Sequence, residues 1–398
     1  MKKIMILGAG RGQVDLITAT LRYGYQPIVV SIQGDYPGFD ITGIEKCYAD
    51  ISDPYAVLNA AREYKIDAIA TSCLDTGIPA LGAVCDALNL KGLSQSAAEL
   101  SVNKFLMKEA FKKYGVNTAK FYKTHNINEL NEQVRNLSYP LIIKAIDLQG
   151  SRGINIVRNH ARLEQALNDT MLETKEDFCI VEEFLEGQEF GVQAFVQNGE
   201  IIYFLPCGDI TLESKTNIPI GHYAPMSMTP AEYDDIRTQS VKAIKALGLD
   251  NCAVNIDLIK KDDKIYLIEL TGRIGANCLP EIISTYYGID VYKMILDNAL
   301  GLDVKSWFAE NKKEGRACYA KMLYSQKTGY LQNIINNNKK STNILDISFF
   351  VKHGETVKKF ENSKDCLGSV VVQGSSVSDC ERFIDKVIAN IILEVTDD

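Results

Sequence analysis

Little histidine, no paired-cysteine motif, no long apolar run and no excess of basic charge: each shortage in this chain closes off a class of function. Four histidines in 398 residues leave little material for a His-based metal centre. The ten cysteines are scattered from Cys47 to Cys380, with no CxxC and no histidine at metal spacing. That pattern reads as reduced thiols in a cytoplasmic protein rather than a disulfide frame or a zinc site. No GxxxxGK[ST] occurs, which excludes a Walker-type phosphate loop. The opening Met1-Lys2-Lys3 leads into an apolar run of only four residues before Gly8, too short for export or for a membrane span. A formal net charge of −8 argues against DNA or RNA as partner, because nothing offsets the repulsion. It says little about small anions, which a local basic pocket can hold inside an acidic protein.

What is present is the mix of a soluble globular chain, 46% hydrophobic and 24% charged residues, long enough for two to four packed subdomains. The first third alternates strands (Lys3–Leu7, Pro27–Ser31, Ala68–Thr71) with helices (Gln13–Tyr23, Pro54–Tyr64, Ile78–Leu88), which predicts a right-handed parallel α/β unit. From about Ser101 the pattern changes. A helix is expected over Val102–Tyr114, then β-rich runs at Leu141–Ala145, Gly153–Val157, Phe178–Glu182, Phe190–Gln197 and Glu200–Phe204. Glycines and charged turns separate them, as in an antiparallel or mixed sheet. Ala253–Ile259 and Lys264–Leu270 flank Lys260-Lys261-Asp262-Asp263, a hairpin with a polar turn. The tail adds strands Leu345–Val351 and Ser369–Gln373 and an amphipathic helix over Ser378–Ile392.

Gly8-Ala9-Gly10-Arg11-Gly12-Gln13 invites a dinucleotide-binding reading, but Gln13 stands where GxGxxG needs glycine and Ser31 ends strand two where an acid would hold a ribose. A dehydrogenase is the weakest reading. The middle of the chain is more telling. Lys144 ends the apolar Leu141-Ile142-Ile143 and is followed by Gly150-Ser151-Arg152-Gly153, a point charge beside a loop whose backbone N–H groups can cradle phosphates. Lysines at strand ends and glycines in turns are also ordinary features. In Val181-Glu182-Glu183-Phe184-Leu185-Glu186-Gly187-Gln188-Glu189, the last carboxylate precedes a strand and can reach a ribose, or it belongs to a solvated edge. The hairpin is sharper. Asp257 and Glu269, an even number of residues apart, can stand opposite each other on one face. Two like charges among Ile256, Leu258, Ile268 and Leu270 are costly unless a cation sits between them, and hard oxygen ligands suit Mg²⁺. Arg273 follows, placed to touch a transferring phosphoryl group.

Taken in order, these pieces resemble the ATP-grasp superfamily over nearly the whole chain. The resemblance implies α/β and α+β architecture: an N-terminal parallel α/β domain (1–100), a two-subdomain ATP-grasp fold (101–305) and a small β-rich C-terminal closing domain (306–398). It implies ATP and Mg²⁺ as cofactors. Lys104 and Lys144 then contact phosphates, and Ser151, Arg152 and Gly153 belong to the loop covering them. Glu182, Glu183, Phe184 and Leu185 line the adenine hinge, and Glu189 holds the ribose. Asp257 and Glu269 bind magnesium, while Arg273, with Lys144, serves the acyl-phosphate stage. Two positions depart from the family pattern. Asp257 stands where glutamate is common, and Thr271-Gly272 replaces the usual Asn-Pro or Asn-x, which leaves the number of magnesium ions open.

Within the superfamily the chain is most similar to carboxylate–amine ligases, including the L-amino-acid ligases, and in part to the carbamoyl-phosphate-synthase large chain. The tail from Lys352 to Gly374 resembles the closing domain of those ligases and of biotin carboxylase. Gly221-His222-Tyr223-Ala224-Pro225 resembles their substrate-side stretch, so His222 is either a substrate contact or a structural loop histidine; Asp75, Ala276 and Asn277 are expected beside it. The implied partners are a small-molecule carboxylate and an amine, with no nucleic acid and no membrane, and a homodimer is compatible. Two rivals stand: a purine-pathway or biotin-dependent relative that activates bicarbonate or formate, and a non-catalytic nucleotide-binding regulator. The Asp257/Glu269/Arg273 set speaks against the regulator, because sensing ATP needs no phosphoryl-transfer charge cluster.

Overall fold

The computed structural model describes residues 1–148, 153–212, 218–313 and 315–396. Its first sheet is parallel, with β1 (Lys3–Leu7), β2 (Gln26–Ser31), β3 (Glu45–Tyr48) and β4 (Ala68–Ala70) in the order β3-β2-β1-β4. Ile4 through Leu7 are all fully buried, as a strand with helices on both faces requires. Helices Arg11–Arg22, Pro54–Tyr64 and Ile78–Leu88 complete the expected α/β unit. At the glycine turn, Gln13 folds its side chain back and donates from Nε2 to the Ser72 carbonyl at 2.5 Å. Gly8 has φ +96°, and a Cβ there would lie 2.8 Å from Gln13 Oε1. The residue that breaks the dinucleotide pattern therefore fills the turn.

The helix expected over Val102–Tyr114 begins at Lys104, and Val102 ends a separate helix, Gln95–Val102. Asn103 breaks the run: it is extended, and its side chain accepts from the N–H groups of Phe105 and Leu106, an N-cap that starts a new helix. Lys104 thus sits in the first turn. Next comes an antiparallel sheet of β5 (Phe121–Thr124), β6 (Leu141–Lys144), β7 (Ile154–Val157) and β8 (Cys179–Glu183), ordered β5-β8-β6-β7. It has its own core around Leu141, Ile143, Val157, Leu167 and Val181.

The largest sheet has eight antiparallel strands: β9 (Gln188–Gln197), β10 (Glu200–Leu212), β11 (Ile218–Ala224), β12 (Cys252–Lys261), β13 (Lys264–Thr271), β14 (Ala317–Leu323), β16 (Ile344–Phe349) and β18 (Gly368–Gly374). Their order is β13-β12-β9-β10-β11-β14-β18-β16, so strands from the C-terminal stretch extend the sheet that carries the hairpin. One core joins this sheet to the first domain, with Met5 and Leu7 in the same cluster as Val254 and Ile256. A small sheet of β15 (Gly329–Asn336), β17 (Thr356–Val357) and β19 (Ile391–Thr396) closes the fold. The last helix ends at Ala389, short of the expected Ile392, because Ile391–Thr396 alternates half-buried and exposed side chains and pairs with β15. Among the described residues, no helix is long and apolar enough to cross a membrane.

Candidate functional site

Between the four-stranded and eight-stranded sheets lies a cavity of about 650 Å³. Its floor is the β12–β13 hairpin. The turn has two residues, Asp262 and Asp263, both at positive φ, which matches the twist of a tight hairpin. Counted from that turn, a regular ladder puts Ile268 opposite Asp257 and sends Glu269 to the far face. A bulge prevents this: Leu258 pairs with Leu267, but Asp257 pairs with Glu269. Ile268 is the extra residue, and the bulge rather than the spacing brings the two carboxylates together.

Burial pushes the Asp257 carboxyl up, and the neighbouring Glu269 and Asp209 push it further. Asn255 Nδ2 donates to it at 3.1 Å. Asn255 is itself held by Gln193 Nε2 at 2.5 Å, and Gln193 Oε1 accepts from the N–H of Gly275 at 3.1 Å. Across the pair, Lys104 Nζ stands 3.5 Å from Glu269 Oε2 and donates to the Leu148 carbonyl at 2.8 Å. One lysine does not balance Asp257 and Glu269, and this pair of recessed, hard oxygen donors fits a magnesium ion.

The opposite wall is basic. Glu182 is 2% exposed, and one of its oxygens lies 2.9 Å from Lys108 Nζ and 3.7 Å from Lys144 Nζ. Burial opposes the Glu182 charge, but the two ammonium groups outweigh it and hold the carboxyl below its ordinary value. Its other oxygen, Oε1, has no hydrogen-bond partner among the described residues. Lys108 also donates to Thr118 Oγ1 at 2.8 Å, and Thr118 donates to the Leu267 carbonyl at 2.9 Å. The buried lysine so ties β8 to the hairpin. Glu183, Phe184, Leu185 and Glu189 continue this wall, with Glu183 Oε1 accepting from the Ser138 N–H at 3.1 Å. Gly153, at φ +60°, receives Glu173 on its N–H at 3.0 Å. Ser151 and Arg152 lie outside the described residues.

At the far end, Arg273 is clamped by Asp75 of the first domain, with Nε and Nη2 each 2.7 Å from its two oxygens. Thr271 Oγ1 donates to the same carboxylate at 2.8 Å. Burial would raise Asp75, but Arg273 overrides it and leaves the carboxyl below its ordinary value. Asp75 thus holds Arg273 and does not line the cavity itself. Thr271 is likewise turned to Asp75. Ala276, Asn277 and His222 do line the cavity. Asn277 and Cys278 both have positive φ, 57° and 69°, as they lead into the helix Leu279–Tyr287. In that helix, burial pushes the Glu281 carboxyl up to about 7, with Asp15 and Asp346 adding to it.

Four residues of this site escape a reading of the chain. Lys108 had a signal, one helical turn after Lys104 and on the same face. Asp209 faces His222 across β10 and β11, in a stretch beyond the expected strand end at Phe204. Asn255 and Gln193 matter only through contacts between strands and carried no local signal.

The family description "phosphoribosylglycinamide synthetase, ATP-grasp (A) domain" matches residues 102–275, and "L-amino acid ligase C-terminal domain 2" matches residues 321–396. The crystal structure of a phosphoribosylglycinamide synthetase from Anaerococcus prevotii is 42% identical, with TM-score 0.86, over 99% of this chain and 100% of that one. The L-amino acid ligase from Bacillus licheniformis, 21% identical, shares the fold with TM-score 0.85 over 100% of this chain and 99% of its own. An alanine–anticapsin ligase from Bacillus subtilis is 26% identical over 270 residues, 61% of this chain and 55% of that protein. The chain thus spans about half the length of the curated relatives it matches.

Proposed function

The chain belongs to the ATP-grasp family, whose ligases use ATP and Mg²⁺, and on that premise we propose that it phosphorylates a substrate carboxylate and joins the acyl group to an amine, releasing ADP and phosphate. The observation that carries this is the Asp257–Glu269 pair facing one cavity with Lys104, Lys144 and Arg273. Negative charge for a cation and positive charge for phosphates stand together there, as phosphoryl transfer requires.

In this reading residues 101–305 bind the nucleotide, 1–100 brace the site through Asp75, and 306–398 close it. Lys104 and Lys144 hold phosphates. Glu182, Glu183, Phe184 and Leu185 receive the adenine, and Glu189 the ribose. Asp257 and Glu269 hold magnesium, which supplies positive charge against the phosphate oxygens. The substrate carboxylate attacks the γ-phosphorus while Lys144 and Arg273 offset the charge that spreads there. Ala276, Asn277 and His222 face the acyl phosphate, and exclusion of water preserves it until an amine arrives. The names of the relatives, alanine–anticapsin ligase and phosphoribosylamine–glycine ligase, support an amino acid as one substrate. The ten free cysteines, mostly buried, suit a reducing cytoplasm.

The test offers ATP, Mg²⁺ and amino acids to the protein and follows ADP, with mass spectrometry of products. Hydroxylamine should trap the activated acid as a hydroxamate, and ¹⁸O in the carboxylate should appear in released phosphate. Release of AMP with the label kept in the product means adenylation and defeats the reading. Label transfer from bicarbonate without an organic acid would instead mark a carboxylating enzyme.

A further inference from the structure

His222 is 6% exposed, and its Nε2 is a buried ring nitrogen with no hydrogen-bond partner among the described residues. Its Nδ1 lies 2.7 Å from Asp209 Oδ1. The two residues are direct neighbours across β10 and β11, and both line the cavity that holds Asp257, Glu269 and Arg273. The strands carrying them are tightly fixed. A Cβ on Gly208 would fall 2.0 Å from the Tyr223 ring, and one on Gly221 would fall 2.2 Å from the Ala320 carbonyl. Tyr223 in turn stacks on Tyr319, with ring centroids 5.4 Å apart. The imidazole has little room to turn.

A carboxylate only accepts hydrogen bonds, so Asp209 requires the proton on Nδ1. The neutral ring of this cavity-lining residue then carries Nε2 as an unmet acceptor. An unmet buried acceptor is costly, and a ligand that donates there recovers that cost. Among the described residues, no cluster of three or more His, Cys, Asp or Glu can hold a metal, and magnesium takes oxygen before nitrogen. The phosphates of ATP, the substrate carboxylate and its acyl phosphate are all acceptors. Of the reacting groups, only the amine has hydrogens to offer.

We propose, on the ligase reading above, that Asp209 and His222 receive the amine nucleophile. His222 is the catalytic residue and Asp209 the positioning residue. Nε2 takes one proton from the bound ammonium, which frees the nitrogen lone pair toward the acyl carbon. The nitrogen pair forms the C–N bond, and the bond from the acyl carbon to the phosphate oxygen breaks, with its electrons leaving on inorganic phosphate. The proton shed by the new amide nitrogen goes to the departing phosphate, and Nε2 returns its own to solvent. Asp209 keeps the ring in the accepting tautomer.

The experiment compares two nucleophiles on one enzyme. Hydroxylamine is weakly basic and strongly nucleophilic, whereas the more basic α-amino group of a free amino acid reaches the site largely protonated at neutral pH. With ATP, Mg²⁺ and the twenty standard amino acids, Asp209→Asn should slow amino-acid condensation by about 10²-fold, while hydroxamate formation falls far less and KM for ATP holds. An asparagine amide can turn its NH₂ to Nδ1, which moves the ring proton to Nε2 and removes the acceptor. His222→Asn keeps a side-chain amide toward Asp209 but has no atom at the Nε2 position. It should reproduce the split, and it carries the test if Asp209→Asn does not fold. If condensation and hydroxamate fall together, or if neither falls, the dyad does not handle the amine. A wild-type enzyme that makes no hydroxamate overturns the ligase reading and the dyad's role with it.

Discussion

Replacing Asp75 by asparagine removes a charge and one acceptor from the clamp on Arg273 while keeping its shape. The carboxylate accepts from Arg273 Nε and Nη2 at 2.7 Å each and from Thr271 at 2.8 Å. The two side chains are 15% and 12% exposed, so water screens the pair poorly. Hydrogen bonds to charged groups contribute about 1.5–3 kcal/mol each. Asparagine keeps one as a neutral acceptor and sets an N–H against Nη2, so the expected loss is about 3 kcal/mol. Unfolding entropy of about 2.1 cal/mol/K per residue, over 398 residues, converts that into a Tm lower by roughly 4 °C. Turnover should fall more steeply than stability, because an unpinned guanidinium no longer waits where the phosphoryl charge develops. The assays are thermal melts by circular dichroism and ADP release, with a double-mutant cycle against Arg273→Gln. Asp75 sits below its ordinary pKa, so its contribution is complete above about pH 4 and fades as pH falls through the folded value. The Tm gap between wild type and variant should close in acid. A Tm within 1 °C of wild type at pH 7, or a coupling energy near zero, would refute the clamp.

Glu269→Gln should lower Mg-ATP turnover by on the order of 10²-fold or more with an unchanged melting curve, and near-normal ADP release at ordinary magnesium would remove Glu269 from the metal site. Lys144→Ala should raise KM for ATP by about tenfold to a hundredfold; a change confined to the carboxylate substrate would assign the lysine to another pocket. Glu281→Gln should stabilise the protein above pH 7 by about 1–3 kcal/mol. The wild-type carboxyl sits near 7 when folded and about 4.3 when unfolded, so the stability tied to its neutral form is whole below pH 4 and lost as pH rises through 7. Melts from pH 4 to 8 should show the difference opening across that range, and parallel curves would contradict the burial of this carboxyl.

The parts of the site legible in the sequence were those whose chemistry clashed with their surroundings. Asp257 and Glu269 stand out as charges within apolar strands, and Lys144 as a charge closing one. What escaped was set by long-range geometry. The strand expected to end at Phe204 continues to Leu212, because Pro206 and Gly208 pair with β9 in the middle of the sheet. That continuation is what places Asp209 beside His222. The clamp of Arg273 by Asp75 joins residues 198 positions apart and leaves no local trace. The helix expected from Val102 begins two residues later, because the short polar side chain of Asn103 takes the next N–H groups and caps it. In the tail, Asn390 ends the last helix and the alternating Ile391–Thr396 becomes β19, a change of period that the apolar content of the segment conceals.

The extra residue at Ile268 gives the hairpin a property that bears on how such chains drift and how they are edited. Which face Glu269 occupies depends on the count of residues from the turn, and the bulge absorbs the one that Ile268 adds. Deleting Ile268 leaves equal arms from the two-residue turn to Asp257 and to Glu269, so a regular ladder keeps the two carboxylates paired. Straightening the bulge with Ile268 still present would instead put Ile268 opposite Asp257 and turn Glu269 to the far face. Magnesium-dependent turnover should therefore survive the loss of Ile268. The hairpin tolerates a deletion inside a sheet strand, where such an edit ordinarily turns every later side chain to the other face.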